Sequence, residues 1–378
     1  MIKIIEVKNR KERKEFLNFP LRMYKDNPNF VPPLYADEKK MFTKKFAYND
    51  TCESAFFLAE KDGKTVGRIS AIIQKAANEK NNERRVRFTR FDCIDNEEVA
   101  KALFGAIEEY AAKKGMDTIC GPLGYSDLER EGLLVEGFDE LSTFEEQYNA
   151  EYYGRLIEAC GYKKEVDWVE SKIFLPEEKD IENIKKMSAF VKNRYGLRLP
   201  KCKNIKEFID KYADGFFDLL DDAYKDLYGT VPFSDSMKKM LMVNFKLVID
   251  IKHVTVVLNE KDEIVCLGLC FPSIGKALQK SGGKLTVPAF LRVLKAIKKP
   301  EIVDLGLIAV RSDYLNCGVT AILAEGIIDL LKQDGVEYAE TNLNLEDNHA
   351  VQNLWKRFKG ERHKRRRAYV KTLEKKSD

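Results

Sequence analysis

Between residues 301 and 348 an apolar strand, a polar turn, an amphipathic helix and a second apolar strand follow one another. That order leaves few folds open. The first strand reads over 301–310 and the turn over 311–318, Arg-Ser-Asp-Tyr-Leu-Asn-Cys-Gly. The helix that follows places Val319, Ile322, Leu323, Ile327, Leu330 and Leu331 on one face at helical spacing. Gly335 closes it from the C-terminal side. A second strand runs over 336–344, and Glu346-Asp-Asn348 leads into a short helix. Strand, turn, helix, strand is an α/β unit. Its strand-to-helix turn can present backbone N–H groups and a helix dipole to a phosphate.

The rest of the chain follows the same plan twice. The first half reads over 1–177: a strand at 2–7, a helix at 10–24, a proline-broken segment at 26–33, and a hairpin at 55–74 turning on Asp62-Gly63. A strand at 85–94 comes next, then a helix at 95–114 with Val99, Leu103, Phe104, Ile107 and Tyr110 on its core face, and alternating strands and helix to 175. The second half reads over 189–378, with helices at 205–227 and 234–249 and a hairpin at 253–271. An additional amphipathic helix at 288–297 is reached through Ser281-Gly-Gly283, and a closing strand spans 362–372. The charged stretch 178–188 carries little strand signal and reads as the connector. The loop 124–139 is acidic and glycine-punctuated, with Glu131 and Glu136 available to a cationic ligand.

The turn segment Leu315-Asn-Cys-Gly318-Val-Thr320 resembles motif A of the GNAT acyltransferase superfamily. Leu315 stands where that family has Arg or Gln, and Thr320 where it has Gly or Ala. Asn348 falls where the family often has an asparagine facing the pantetheine arm. In the first half, 26–33, Val66-Gly-Arg-Ile69, Gly121-Pro122, 131–139 and Tyr152-Tyr153 are similar to segments of uncharacterised bacterial GNAT-like proteins. The resemblance implies an α/β chain (an α+β mixed sheet) made of two tandem acyl-CoA N-acyltransferase domains. It implies acetyl-CoA or another acyl-CoA as co-substrate, and a small-molecule or peptide amine as acceptor. The pyrophosphate would meet Asn316, Cys317, Gly318, Val319 and Thr320, and the pantetheine would run beside Ile308 and Val310. Glu340 is the candidate base and Tyr369 the candidate acid, with Tyr338 a further tyrosine. The first half is expected to lack CoA, because Asp95-Asn-Glu-Glu98 would repel a pyrophosphate. Gly318 also fits an ordinary helix-entry turn and Asn348 an ordinary N-cap. A catalytically degenerate scaffold and an aminoacyl-tRNA-dependent transferase remain as alternatives.

Composition narrows the rest. The chain has 378 residues and a net charge of +4, which gives no global nucleic-acid signature. The basic run Arg362-His-Lys-Arg-Arg-Arg367 reads as a guarded edge strand. No apolar run reaches the ~20 residues of a membrane helix, and no membrane partner is expected. The 8 cysteines are scattered and the 3 histidines lack ligand spacing, so no metal is expected and the thiols read as reduced and cytoplasmic.

Overall fold

The computed structural model describes residues 1–374. The last residues of the second half, 375–378, lie outside them. In chain order the strands are β1 Ile2–Glu6, β2 Cys52–Lys61, β3 Lys64–Gln74, β4 Arg85–Cys93, β5 Thr118–Gly121, β6 Leu133–Glu136, β7 Lys163–Phe174, β8 Val254–Leu258, β9 Ile264–Pro272, β10 Ile302–Val310, β11 Tyr338–Thr341, β12 Asn344–Leu345 and β13 Lys359–Thr372. The helices are α1 Arg10–Met23, α2 Tyr35–Lys40, α3 Lys75–Asn81, α4 Glu97–Lys113, α5 Tyr153–Ala159, α6 Glu178–Arg194, α7 Ile205–Tyr224, α8 Asp235–Val248, α9 Gly275–Gln279, α10 Val287–Lys298, α11 Thr320–Leu331 and α12 His349–Trp355.

The chain divides into two compact units. The first comprises Met1–Trp168, Gly275–Phe290 and the chain from Lys364 onward. Its sheet runs β1-β2-β3-β4-β5 and is completed by the C-terminal part of β13, where Tyr369 lies opposite Gly121. The pairings are antiparallel except β4 with β5, which run parallel from Arg85↔Thr118 to Arg87↔Cys120. Helix α4 starts because the Asn96 side chain accepts from the Val99 N–H at 3.1 Å, satisfying an otherwise orphaned donor. Its apolar stripe, Val99, Leu103, Phe104 and Ile107, is buried in one cluster with Val86, Phe88 and Phe91 of β4. Each such side chain contributes about 1.5–3 kcal/mol on leaving water.

The second unit comprises Val169–Ile274 and Leu291–His363. Its sheet begins with the end of β7 and continues through β11, β10, β9 and β8. β10 and β11 run parallel from Ile302↔Tyr338 to Leu305↔Thr341; the other pairs are antiparallel. Here α11 supplies the stripe, burying Ala324, Ile327, Ile328 and Leu331 against Val303, Leu305 and Ala339.

Three expectations change. Residues 178–188 are not a connector but the first part of α6, whose Ile181 and Ile184 join the core beside α11. Charged side chains on the outer face hide that spacing in the sequence. The acidic segment 124–139 is not all loop, since β6 pairs with β13 and buries Leu133 and Leu134 in the first unit's core. The compact units also fall differently from a single cut, because 275–290 and 364 onward group with the first. Ile184→Ala is expected to destabilise the fold by about 2–5 kcal/mol. Trypsin should spare Lys185 and Lys186 in the native protein. Early cleavage there with unchanged denaturation of the variant would contradict a packed α6.

Candidate active site

In the second unit the parallel pair β10–β11 ends at Leu305↔Thr341, and β10 continues to Val310 without β11 beside it. The strand bulges at this point, with a register shift between Leu305 and Leu307. Gly306 is required there: a Cβ would come within 2.5 Å of the Phe271 ring. Past the bulge, the Ile308 backbone is engaged by one side chain. The Tyr224 hydroxyl donates to the Ile308 carbonyl at 2.9 Å and lies 3.3 Å from the Ile308 N–H, which donates to it.

At the end of β10 the turn expected from the sequence is present. Gly318 has φ +72°, the left-handed region glycine favours. Val319 precedes α11 without a side-chain cap. The Cys317 N–H is used inside the turn, on the Tyr314 carbonyl at 3.1 Å. The Cys317 thiol lies 3.9 Å from the Asp313 carbonyl. Val319 is buried with Ile308 and Val310 packed against its cluster. Leu315 points an exposed apolar side chain outward at 57% exposure, where the family has a polar one. Arg311, the basic residue of the turn, is engaged by both Asp313 oxygens at 2.7 and 3.0 Å and by Glu263 at 3.1 Å. Asn348 caps α12, its side chain accepting from Val351 at 3.3 Å.

The candidate base is buried on β11, where Glu340 stands in register with Asp304 of β10. The His363 Nε2 lies 3.2 Å from a Glu340 oxygen. Glu170 joins these two, with donor atoms of all three side chains within 4.8 Å of one another. Neither His363 nor Glu170 was singled out in the sequence, because the strands that align them are far apart along the chain. Tyr369 belongs to the first unit, in its apolar core, and Gly154 lies against its hydroxyl. Tyr338 sits against Phe174 with its ring centroid 5.8 Å away.

The first unit repeats the strand geometry. β4 and β5 part after Arg87↔Cys120, and β4 bulges at Arg90, with φ +50°. Past that bulge the Cys93 N–H donates to the Tyr153 hydroxyl at 3.0 Å, and the Tyr152 hydroxyl donates to the Cys93 carbonyl at 2.7 Å. The turn into α4 is acidic, and Arg155 pairs with Asp95 and Glu97. Glu131 is buried in this unit and Glu136 pairs with Arg365; neither lines the unit's polar cavity.

That cavity is lined by Glu38, Arg68, Thr89, Arg90, Asp92, Arg130, Gln147 and Tyr148 together with apolar neighbours. Arg90 holds Glu38 through two hydrogen bonds of 2.9 Å, and Arg68 holds Asp92 at 2.7 Å. Tyr24 links Asp92, at 3.1 Å, to Tyr153, at 2.7 Å. The charges are therefore largely paired, as buried charges must be.

Comparison with known proteins bears on this geometry. No family model matches the chain. Its sequence is similar to Protein YghO of Escherichia coli (strain K12), 26% identical over 378 residues that cover 97% of this chain and 94% of that protein. It is equally similar, at 26% over 385 residues and 98% of each chain, to a protein of Caulobacter vibrioides (strain NA1000 / CB15N) named bacterial ceramide synthase. Among solved structures, a tandem GNAT protein from the clavulanic acid biosynthesis pathway superposes over 100% of both chains, with a TM-score of 0.55 and 11% identity. The fold is the tandem GNAT fold. A GCN5-related N-acetyltransferase from Sphaerobacter thermophilus matches over 99% of this chain and 97% of its own, with a TM-score of 0.51 and 10% identity. The expected fold class therefore holds for the whole chain. β4 and β10 each leave a parallel neighbour and bulge in their unit. Each carries, just past its bulge, a backbone position clasped by tyrosine.

Acid titration tests the first unit's cavity. Burial alone would raise the Glu38 carboxyl, but the adjoining Arg90 guanidinium outweighs it and holds the group down to about 2. A carboxyl lowered on folding contributes stability that is complete above its unfolded value near 4.5 and is lost as pH falls toward 2. Urea midpoints measured between pH 5 and pH 3 should therefore fall more steeply for the native chain than for Glu38→Gln. Equal slopes would show that the Glu38–Arg90 pair does not carry this dependence.

Proposed function

We propose that this chain is an N-acyltransferase that moves an acyl group from coenzyme A to the amine of a lipid-like acceptor. The observation that carries the proposal is the end-to-end similarity to the Caulobacter protein named a ceramide synthase, since a ceramide is the amide of a long-chain amine. The tandem GNAT fold supports it, because that fold places a bulged strand and a helix-entry turn side by side.

The donor is assigned to the second unit. Its pyrophosphate meets the backbone N–H groups of Asn316, Gly318, Val319 and Thr320, which act whatever side chain Leu315 carries. Its pantetheine lies along Ile308 and Val310, taking the backbone groups that Tyr224 now holds. The first unit is assigned no CoA, because Asp95, Glu97 and Glu98 stand where the pyrophosphate would go. Asn348, engaged as a cap, is given no donor contact.

Glu340, paired with His363, takes the proton from the acceptor's ammonium group. The neutral amine nitrogen then forms a bond to the thioester carbonyl carbon. The oxyanion of the tetrahedral adduct is held by a backbone N–H at the β10 bulge. As the carbon–sulfur bond breaks, the adduct nitrogen gives up its second proton, and the leaving thiolate takes up one proton to become coenzyme A, leaving the amide. Tyr369 lies in the other unit's core and is given no part in these steps.

A second outcome has its own observation. Tyr224 occupying the Ile308 backbone is also what a scaffold without donor would have. Incubating the protein with palmitoyl-CoA or acetyl-CoA and sphinganine, followed by mass spectrometry, decides between them. An N-acyl product and free coenzyme A are expected with the native chain and not with Gly318→Gln of unchanged melting temperature. No product, with no heat from millimolar acetyl-CoA, would favour the scaffold. Tyr224→Phe removes a contact the donor must displace, of about 0.5–1.5 kcal/mol. It should tighten acetyl-CoA binding by roughly two- to tenfold in calorimetry; weaker binding would mean that Tyr224 assists the donor.

A further inference from the structure

The second unit's central hairpin and strand do not follow directly on one another. Between β9 and β10 lie α9 and α10, whereas the corresponding β3–β4 link in the first unit holds only the short α3. Helix α10 is apolar on two sides. Ala289 and Val293, four residues apart, are buried. Val287, Phe290, Leu291 and Leu294, at i, i+3, i+4 and i+7, form a second row that faces outward, with exposures of 76%, 51%, 60% and 37%. Leu285, just before the helix, adds to this row at 54%. Large apolar side chains scattered singly on a surface are ordinary, but a contiguous row marks a docking face.

The charge around that row is of one sign. Every ionisable side chain between Gly275 and Pro300 is basic: Lys276, Lys280, Lys284, Arg292, Lys295, Lys298 and Lys299, with no Asp or Glu. Lys284, Lys295, Lys298 and Lys299 are exposed. The segment before the helix is held in place in the first unit. The Tyr35 N–H donates to the Gly283 carbonyl at 3.0 Å, and the Gln279 amide donates to the Pro28 carbonyl at 2.7 Å. The face is thus presented by an anchored element.

We infer that α10 docks on an anionic phospholipid surface, with Val287, Phe290, Leu291 and Leu294 entering the headgroup–acyl boundary and the flanking lysines meeting the lipid phosphates. An exposed apolar row in a segment whose ionisable side chains are all basic is the composition that lies in a bilayer interface. A protein partner of mixed charge would not call for a stretch from which acids are wholly excluded. No helix among the described residues is long and apolar enough to cross a membrane, and surface docking needs none. The sequence expectation of no membrane partner is revised to this extent. The inference stands on the helix itself, independently of the proposed reaction.

Co-sedimentation of the full chain with vesicles tests it, without any activity readout. Vesicles of one-quarter phosphatidylglycerol in phosphatidylcholine should capture the native protein, and pure phosphatidylcholine should capture about tenfold less. Raising the salt should release it, since surface charge interactions are screened. Phe290→Ser with Leu291→Ser should cut binding by about tenfold or more, and Lys295→Glu with Lys298→Glu should abolish the preference for the anionic lipid. All four positions are on the helix's outer or half-outer surface, and an unchanged melting temperature checks that the variants fold. No capture by anionic vesicles, or equal capture of the serine variant, would overturn the inference. So would a concentration-dependent dimer that forms instead of vesicle binding and is lost in the same variant, because the face would then belong to a second copy of the chain.

Discussion

A strand that leaves its neighbour inside a sheet must still satisfy its backbone N–H and C=O groups. That requirement governs both central strands of this protein. β10 outruns β11, and β4 outruns β5, so each unit has an inward strand edge with no partner strand beyond its bulge. Tyrosine hydroxyls meet the need, Tyr224 at Ile308 and the pair Tyr152 and Tyr153 at Cys93. A hydroxyl suits the task because it donates and accepts at one oxygen. A ligand arm with amide groups would need the same donor and acceptor.

The units treat that edge differently. In the first, Tyr153 is tied through Tyr24 to Asp92 and thence to Arg68, so opening the edge would disturb a buried charged network. Breaking such a network leaves unpaired buried charge, which is costly. In the second, Tyr224 ends a helix and its hydroxyl reaches the strand, beside a helix α11 whose first turn carries no acid. The asymmetry follows from a few side chains on a shared backbone plan.

Much of that plan was legible from periodicity and turn chemistry. The 301–341 block, the hairpins at 55–74 and 253–271, and the start of the helix capped by Asn96 all follow local rules, and local rules survive folding. The parts that were not legible depend on partners far along the chain. Residues 178–188 read as a connector because Ile181 and Ile184 are outnumbered by charges, and only packing against α11 makes sense of their spacing. Asn348 obeyed the plainest of its possible roles, capping a helix. Glu340 stood out as a carboxylate on a strand, but His363 and Glu170 gain meaning only from strand register. The exposed row on α10 could be seen as amphipathic, yet its two apolar sides could be told apart only once one of them was covered.

The composition of the first unit's sheet bears on the order of events in synthesis. Its strand next to β5 is supplied by residues from 364 onward, more than two hundred positions beyond β5. A nascent chain therefore carries β5 with an open side until residues 369–372 have been made, and the half made first cannot be finished first. Cutting the gene at the apparent boundary between the repeats would yield two fragments that each lack a strand. Inheritance of the two repeats is bound together by that exchange: neither can be lost, duplicated or moved alone without leaving its twin incomplete.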